Sequence, residues 1–182
     1  MGLFLEAPRS VSEVVFMRVL MFLLIFVLSV LCAACGGQKD GHFAVKPVQV
    51  VGECLYVYDG DTVLMNMNGE KRKIRLYGID APEMSQEFGD KSRALLSRLV
   101  EKKKITVSVT GEDRYGRVIG VIFVDGMDVN ALMLKNGAAW HYKDFDKSTE
   151  YAELESLARM ERLGLWATRS IMAPWEYRKQ NK

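Results

Sequence analysis

Histidine is scarce in this 182-residue chain, with only His42 and His141. That excludes a His-built zinc cluster and disfavours histidine-based catalysis. Three cysteines, Cys32, Cys35 and Cys54, cannot form a disulfide framework. Four prolines and 15 glycines are too few for a low-complexity chain. Charge of one sign is also missing. Lys and Arg number 25 against 23 Asp and Glu, a formal net charge of +2, so bulk charge calls for no polyanionic partner. Long apolar runs are absent except one, and no internal repeat is visible. What remains, 49% hydrophobic and 26% charged, is the composition of a folded domain.

The one apolar run lies at the start. Val19 to Leu31 is apolar at every position but Ser29, follows Arg18, and leads into Ala33-Ala34. Charged, apolar and small-residue regions in this order read as a secretory signal over residues 1–34, with an uncleaved anchor as the alternative. Val19 to Ala34 spans 16 residues, short of the roughly 20 that a membrane-spanning helix needs. Met17-Arg18 would itself make a normal signal start. Ala33-Ala34-Cys35-Gly36 resembles the end of a bacterial lipobox, which marks Cys35 for lipidation, although Cys32 stands where that motif usually has Leu. The expected location is therefore the cell envelope, as a lipoprotein, or the medium. Residues 35–47 are Gly-rich and polar and read as a tether. Residues 48–182 are long enough to bury one core. Cys54 falls in an apolar strand pattern and is expected as a small core residue; a Cys35–Cys54 disulfide is the other option outside the cytoplasm.

Five strands are expected: Gln49 to Tyr58, Thr62 to Met67, Lys71 to Tyr77, Ile105 to Thr110 and Val118 to Val124. Asn68-Gly69 is a two-residue hairpin signal that sets Thr62 opposite Arg75 and Val63 opposite Ile74. Helices are expected at Gln86 to Val100, with Phe88, Leu95, Leu96 and Leu99 on its apolar face, at Val129 to Lys135, and at Thr149 to Arg162, which Gly164 ends. The fold class is all-β with appended helices, a five-stranded OB-fold barrel carrying about three α-helices.

Asp59-Gly60-Asp61-Thr62 puts two carboxylates at a strand entrance. Asp80-Ala81-Pro82-Glu83 puts two more beyond the hairpin's second strand, and the register makes the segments neighbours. Four carboxylates in one corner repel each other unless cations join them. Oxygen-only ligands suit a hard ion, Ca²⁺ or Mg²⁺. Arg75 lies on the same hairpin, and Asp113-Arg114-Tyr115-Gly116-Arg117 adds guanidinium groups on a tight turn. Carboxylates for a cation, a spare carboxylate to deprotonate water and planar cations for phosphate oxygens suit phosphoryl transfer. Plain alternation, however, points Asp61 and Arg75 to opposite faces, so strand-end twist or a bulge has to unite them.

In order and spacing, these three motifs resemble staphylococcal nuclease over about Val48 to Trp166. The resemblance implies a Ca²⁺-dependent endonuclease that acts on DNA and RNA and leaves 3′-phosphate ends. Asp61 and Asp80 would bind Ca²⁺, with the backbone carbonyl of Ala81, where the best-known member has Thr. Asp59 would stand behind them. Arg75 and Arg117 would bind the scissile phosphate, and Glu83 would activate water. Arg114 and Tyr115 would meet a terminal phosphate, and Tyr142 is the choice for a base platform.

Blander readings exist for each motif alone. Asp59 and Asp61 suit a turn, Glu83 a helix start, Arg75 an exposed strand position, and Asp113 a structural turn. Lys71-Arg72-Lys73 and Lys102-Lys103-Lys104 read as solvated faces, His141 as a surface or packing residue, and Trp140, Trp166 and Trp175 as core or docking aromatics. The competing function is a non-catalytic OB module that binds nucleic acid. The default assembly is a monomer.

Overall fold

A computed structural model of the protein describes residues 47–168 and 171–181. The expected signal segment, Met17, Cys35, His42 and nearly all of the tether lie outside the described residues.

The chain forms β1 (Val48–Val57), β2 (Thr62–Met67), β3 (Glu70–Leu76), β4 (Ile79–Asp80), α1 (Gly89–Val100), β5 (Lys104–Glu112), β6 (Val118–Val124), β7 (Met127–Asp128), α2 (Val129–Lys135), β8 (Trp140–His141), α3 (Thr149–Met160) and α4 (Pro174–Gln180). A 3₁₀ turn, Gly164–Ala167, separates the last two helices. The strand order is β3-β2-β1-β5-β6, and a parallel β3–β6 pairing closes the ring. This is the five-stranded OB barrel expected, with strand β7 added at its edge. Among the described residues there are four α-helices rather than three; α4 is the addition.

The hairpin behaves as its sequence dictates. Asn68 and Gly69 both have positive φ, 53° and 94°, which suits the type I′ turn that matches strand twist. Thr62 therefore pairs with Arg75 and Val63 with Ile74. Val118, Gly120, Ile122 and Val124 alternate inward along β6. Together with Cys54, Val57, Val63, Met65, Ile74, Leu76, Ile105 and Val107 they fill the barrel. Each large side chain buried there contributes about 1.5–3 kcal/mol. Cys54 is fully buried, as expected, and burial pushes its thiol up to about 11. Bulges at Cys54/Tyr56 and Val109/Gly111 bend β1 and β5 around the barrel.

Helix α1 starts three residues later than its apolar pattern predicts. Phe88 adopts a left-handed φ of 76°, and the Gln86 side chain accepts the Glu83 N–H at 2.9 Å. A polar residue that closes a loop cannot also begin the helix. Of the expected apolar face, Leu96 is buried with Leu95 and Leu99 packed beside it, and Val100 joins them; Phe88 precedes the helix and packs instead against the C-terminal cluster of Trp140, Leu165 and Ala173. No helix among the described residues is long and apolar enough to cross a membrane.

Three devices fix the ends of the elements that matter most. The β4–β8 ladder pairs Asp80 with Trp140 and Ile79 with His141. The buried Asn130 accepts from Ile122 N–H and donates to the Tyr77 carbonyl at 2.8 Å, tying α2 to the end of the hairpin. A second cluster, Trp140, Leu165 and Ala173 with Phe88, Trp166 and Trp175 against it, docks the C-terminal segment. The tryptophans are thus docking aromatics. His141 is a packing residue: 3% exposed, with Nε2 2.8 Å from Asp146 Oδ2.

Candidate active site

The acidic turn between β1 and β2 is held by its own side chain. Asp59 Oδ1 accepts the Asp61 N–H at 2.9 Å. Gly60 sits so close to α1 that a Cβ would lie 1.9 Å from Ser92 Oγ and 2.6 Å from Ala81 Cβ. Only glycine lets this turn press against both neighbours. Asp61 Oδ2 then accepts the Ala81 N–H at 2.7 Å, which joins the two acidic segments directly.

The expected conflict between Asp61 and Arg75 is resolved without a bulge in the hairpin. Alternation ends at Thr62, the first residue of β2, and Asp61 belongs to the turn. Its carbonyl accepts from Leu76 N–H at 2.8 Å while its carboxylate swings toward Arg75. Arg75 Nε lies 3.1 Å from Asp61 Oδ1, and Nη2 lies 2.8 Å from Asp80 Oδ1. Nη1 donates to the carbonyls of Leu76 and Ile79 at 2.8 and 2.9 Å. Three of the five guanidinium N–H groups are thereby hydrogen-bonded, Nε is ion-paired with Asp61, and one N–H on Nη2 remains.

Sequence reasoning missed the next residue entirely. Arg178, on α4, places Nη2 2.8 Å from Asp80 Oδ2 and Nη1 2.8 Å from Glu83 Oε1. The site is therefore a chain of alternating charge that runs Asp61, Arg75, Asp80, Arg178, Glu83, with Asp59 behind Asp61. The one local signal for Arg178 was the spacing Trp175 to Arg178, which puts a docking aromatic and a cation on the same helix face.

The second guanidinium group is built on a separate turn. Asp113 accepts from the N–H groups of Tyr115 and Arg117 at 2.8 and 3.1 Å and from Arg117 Nε at 2.7 Å. Burial opposes ionisation of Asp113, but these hydrogen bonds outweigh it and hold the carboxyl below its usual range. Asp113 is structural, as expected, and leaves the Arg117 Nη groups free of it. Arg114 lies over the Tyr115 ring, 4.8 Å from its centroid, with Nη2 2.6 Å from the hydroxyl.

One cleft of about 1030 Å³ gathers the residues expected to hold metal, phosphate or base: Asp59, Asp61, Arg75, Asp80, Ala81, Glu83, Arg114, Tyr115, Arg117 and Tyr142. Tyr142 stands between two rings, stacked on Trp175 with centroids 5.7 Å apart and tilted against Phe145 at 4.7 Å. Its faces are thus partly taken, whereas the neighbouring Phe145 ring in the same cleft is 64% exposed.

The electrostatics favour a cation. Burial, then the neighbouring Asp61 charge, pushes the Asp59 carboxyl up to about 6. Burial likewise raises Asp80, against the pull of Arg178 and Arg75. No group of three or more His, Cys, Asp or Glu side chains among the described residues is arranged to hold a metal ion. A hard ion here would have two carboxylates, Asp61 and Asp80, joined through the Ala81 N–H that Asp61 accepts, with the Ala81 carbonyl as a further oxygen and water for the rest of its shell. That donor set is all oxygen and fits Ca²⁺.

A carboxyl with a raised folded pKa binds extra protons in the native state between its two values, here from 3.8 to about 6. Stability then falls as pH rises through that window. Asp59→Asn removes the charge and keeps the Oδ1 acceptor. It is expected to raise the metal-free melting temperature by a few degrees at pH 7.5. The gain should fade below pH 4, as thermal melts across pH can check; an unchanged gain at low pH would reject the electrostatic origin.

Fold and cleft together define a small OB-fold domain whose cleft interleaves carboxylates with guanidinium groups. A family model described as staphylococcal nuclease homologue matches residues 73–168. An endonuclease of Haemophilus influenzae, itself uncharacterised, is 35% identical over 91% of this chain and 87% of its own length. A micrococcal nuclease of Shigella flexneri is 35% identical over 72% of this chain and 82% of its own length. A staphylococcal-like nuclease of Arabidopsis thaliana is 45% identical over 75% of this chain. This chain covers only 41%, 38% and 34% of the lengths of that protein and two further plant relatives. The chain belongs to the staphylococcal nuclease family.

Proposed function

We propose that this protein is a Ca²⁺-dependent endonuclease that hydrolyses phosphodiester bonds in DNA and RNA and leaves 3′-phosphate ends. The observation that carries the reading is the convergence of Asp61, Arg75, Asp80, Glu83 and Arg117 on one cleft in a member of this family. Asp61, Asp80 and the Ala81 carbonyl would hold Ca²⁺, which supplies positive charge beside the phosphate. Glu83 takes the proton of the attacking water. The water oxygen bonds to phosphorus, the bond to the 5′ oxygen breaks, and that oxygen gains a proton from solvent. The Arg117 fork and the remaining Arg75 N–H bind the non-bridging oxygens as their charge grows. Arg114 and Tyr115, on the turn at the rim, would meet a flanking phosphate, and Tyr142 with Phe145 would line the path of a base.

Export as an envelope lipoprotein through Cys35, or as a released protein, rests on residues 1–36. Intact mass and N-terminal sequencing of the mature chain distinguish the two. A monomer is the assembly proposed.

The full chain is expected to cut single- and double-stranded DNA and RNA with Ca²⁺ and to stop with chelator. Ca²⁺ should also stabilise the fold, by about 2.7 kcal/mol at a hundredfold excess over its dissociation constant. Nucleic-acid binding with no cutting under any divalent ion would assign the non-catalytic module instead.

A further inference from the structure

Glu83 sits on the irregular segment between β4 and α1, so no element fixes its side chain. Its backbone is held: the N–H donates to Gln86 Oε1, and its carbonyl accepts the Gln86 N–H at 2.9 Å. Its carboxylate is 37% exposed, and among the described residues its one hydrogen-bond partner is Arg178. A free Glu side chain keeps about 1.5–2 kcal/mol of rotamer entropy. A base that samples many positions spends little time within reach of the attacking water.

Arg178 is itself held with much more constraint. It meets Asp80 as fork on fork, Nη2 to Oδ2 at 2.8 Å and Nη1 to Oδ1 at 3.3 Å. Burial of the guanidinium opposes its charge, but these two carboxylates outweigh that and strengthen its hold on the proton. Asp80 in turn is fixed by Arg75 and by the β4–β8 ladder. The helix that carries Arg178, and the residues just before it, grip the Glu83 segment at further points. Tyr177 and Ser85 share a hydroxyl hydrogen bond of 2.9 Å, and Gln86 Nε2 donates to the Met172 carbonyl at 3.0 Å. Trp175 stacks on Tyr142 and meets Trp140 edge-on at 6.4 Å. Helix and segment are therefore joined at several points, and the guanidinium links the fixed Asp80 to Glu83.

Building on the nuclease reading, we propose that Arg178 is a positioning residue that holds Glu83 in place for water activation, making α4 a part of the active site. Two other roles give different signatures. A cation that merely fills the place of a metal would obstruct the enzyme. A merely structural ion pair would hold α4 down and nothing more.

The test measures Ca²⁺ affinity by calorimetry and steady-state cleavage by the full chain, for wild type, Arg178→Gln and Arg178→Lys. Arg178→Gln removes a positive charge beside Asp80. Ca²⁺ should bind more tightly by roughly tenfold, the size Coulomb's law gives for one charge about 5 Å from a divalent ion even in bulk water. At saturating Ca²⁺, kcat should nevertheless fall by about 10- to 100-fold with KM little changed, as expected when an orienting partner is lost. Arg178→Lys keeps the charge and loses the two-carboxylate bridge, so its Ca²⁺ affinity should stay near wild type while kcat still falls. Tighter Ca²⁺ binding with unchanged or higher kcat in Arg178→Gln would mark an obstructing cation and overturn the proposal. Weaker Ca²⁺ binding, with a large drop in melting temperature and a raised KM, would mark a structural pair and overturn it too. A wild type that neither binds Ca²⁺ nor cuts would overturn the nuclease reading and this inference with it. An active wild type confines any failure to Arg178.

Discussion

Glu83→Gln is expected to lower kcat by about 10²- to 10⁴-fold, the range that a positioned general base contributes. The substitution is nearly isosteric. The carbonyl oxygen of the new amide can still accept from Arg178 Nη1, which meets Glu83 at 2.8 Å, so α4 should stay docked. Glu83 makes no direct contact with Asp61 or Arg75, and the ion-binding pair is left intact. Ca²⁺ should bind more weakly, by up to about tenfold, because one negative charge leaves the cluster; at saturating Ca²⁺ KM should change little, and the loss should appear in single-turnover cleavage with the substrate already bound. Turnover within a few-fold of wild type would remove Glu83 from the chemistry and leave the acid–arginine chain as a binding device.

Arg75→Lys is expected to damage stability and activity together. Arg75 is largely buried, with 15% of its side chain exposed, and serves two carboxylates and two main-chain carbonyls at once. A lysine carries three donors on one atom and cannot span that arc. Each buried acceptor left without a partner costs about 1–3 kcal/mol, and a domain of this size loses a few degrees of melting temperature per kcal/mol, so a drop of about 5 °C or more is expected. Ca²⁺ should recover part of that drop, because it neutralises the same two carboxylates. The missing phosphate contact should lower kcat by about 10²- to 10³-fold. Melting curves with and without Ca²⁺ separate the two effects. A variant as stable as wild type without metal would show that the Asp61–Arg75–Asp80 bridge contributes nothing net.

The barrel was legible because its signals are local. Asn68-Gly69 dictates one turn and hence one register, and the apolar run Val118–Val124 marks a strand, although an unbroken apolar run does not itself say which face turns inward. The site was legible in its residues but not in its wiring. Parity argued against Asp61 meeting Arg75 because it was carried one residue past the end of β2, into a turn where it no longer applies. Gln86 to Phe88 continued a helical pattern, yet the Gln86 side chain serves Glu83 N–H, a contact that no periodicity encodes. Strands β4 and β8 hold two residues each, too few for any pattern. Helix α4 has seven residues, and its order comes from Trp175 against Tyr142 and Trp140. Arg178 was invisible for the same reason: both of its partners lie far away in the chain, and nothing beside it in the sequence reports them.

That distance has a consequence for the order in which the protein becomes itself. Asp80 is paired with a strand some sixty residues downstream and with a guanidinium 98 positions later. A chain emerging from the ribosome can close the hairpin early from local contacts. It cannot assemble the cleft until its last helix has arrived. The hairpin and the complete cleft thus depend on different lengths of chain, and a chain cut before α4 would lack the Arg178 link of the cleft.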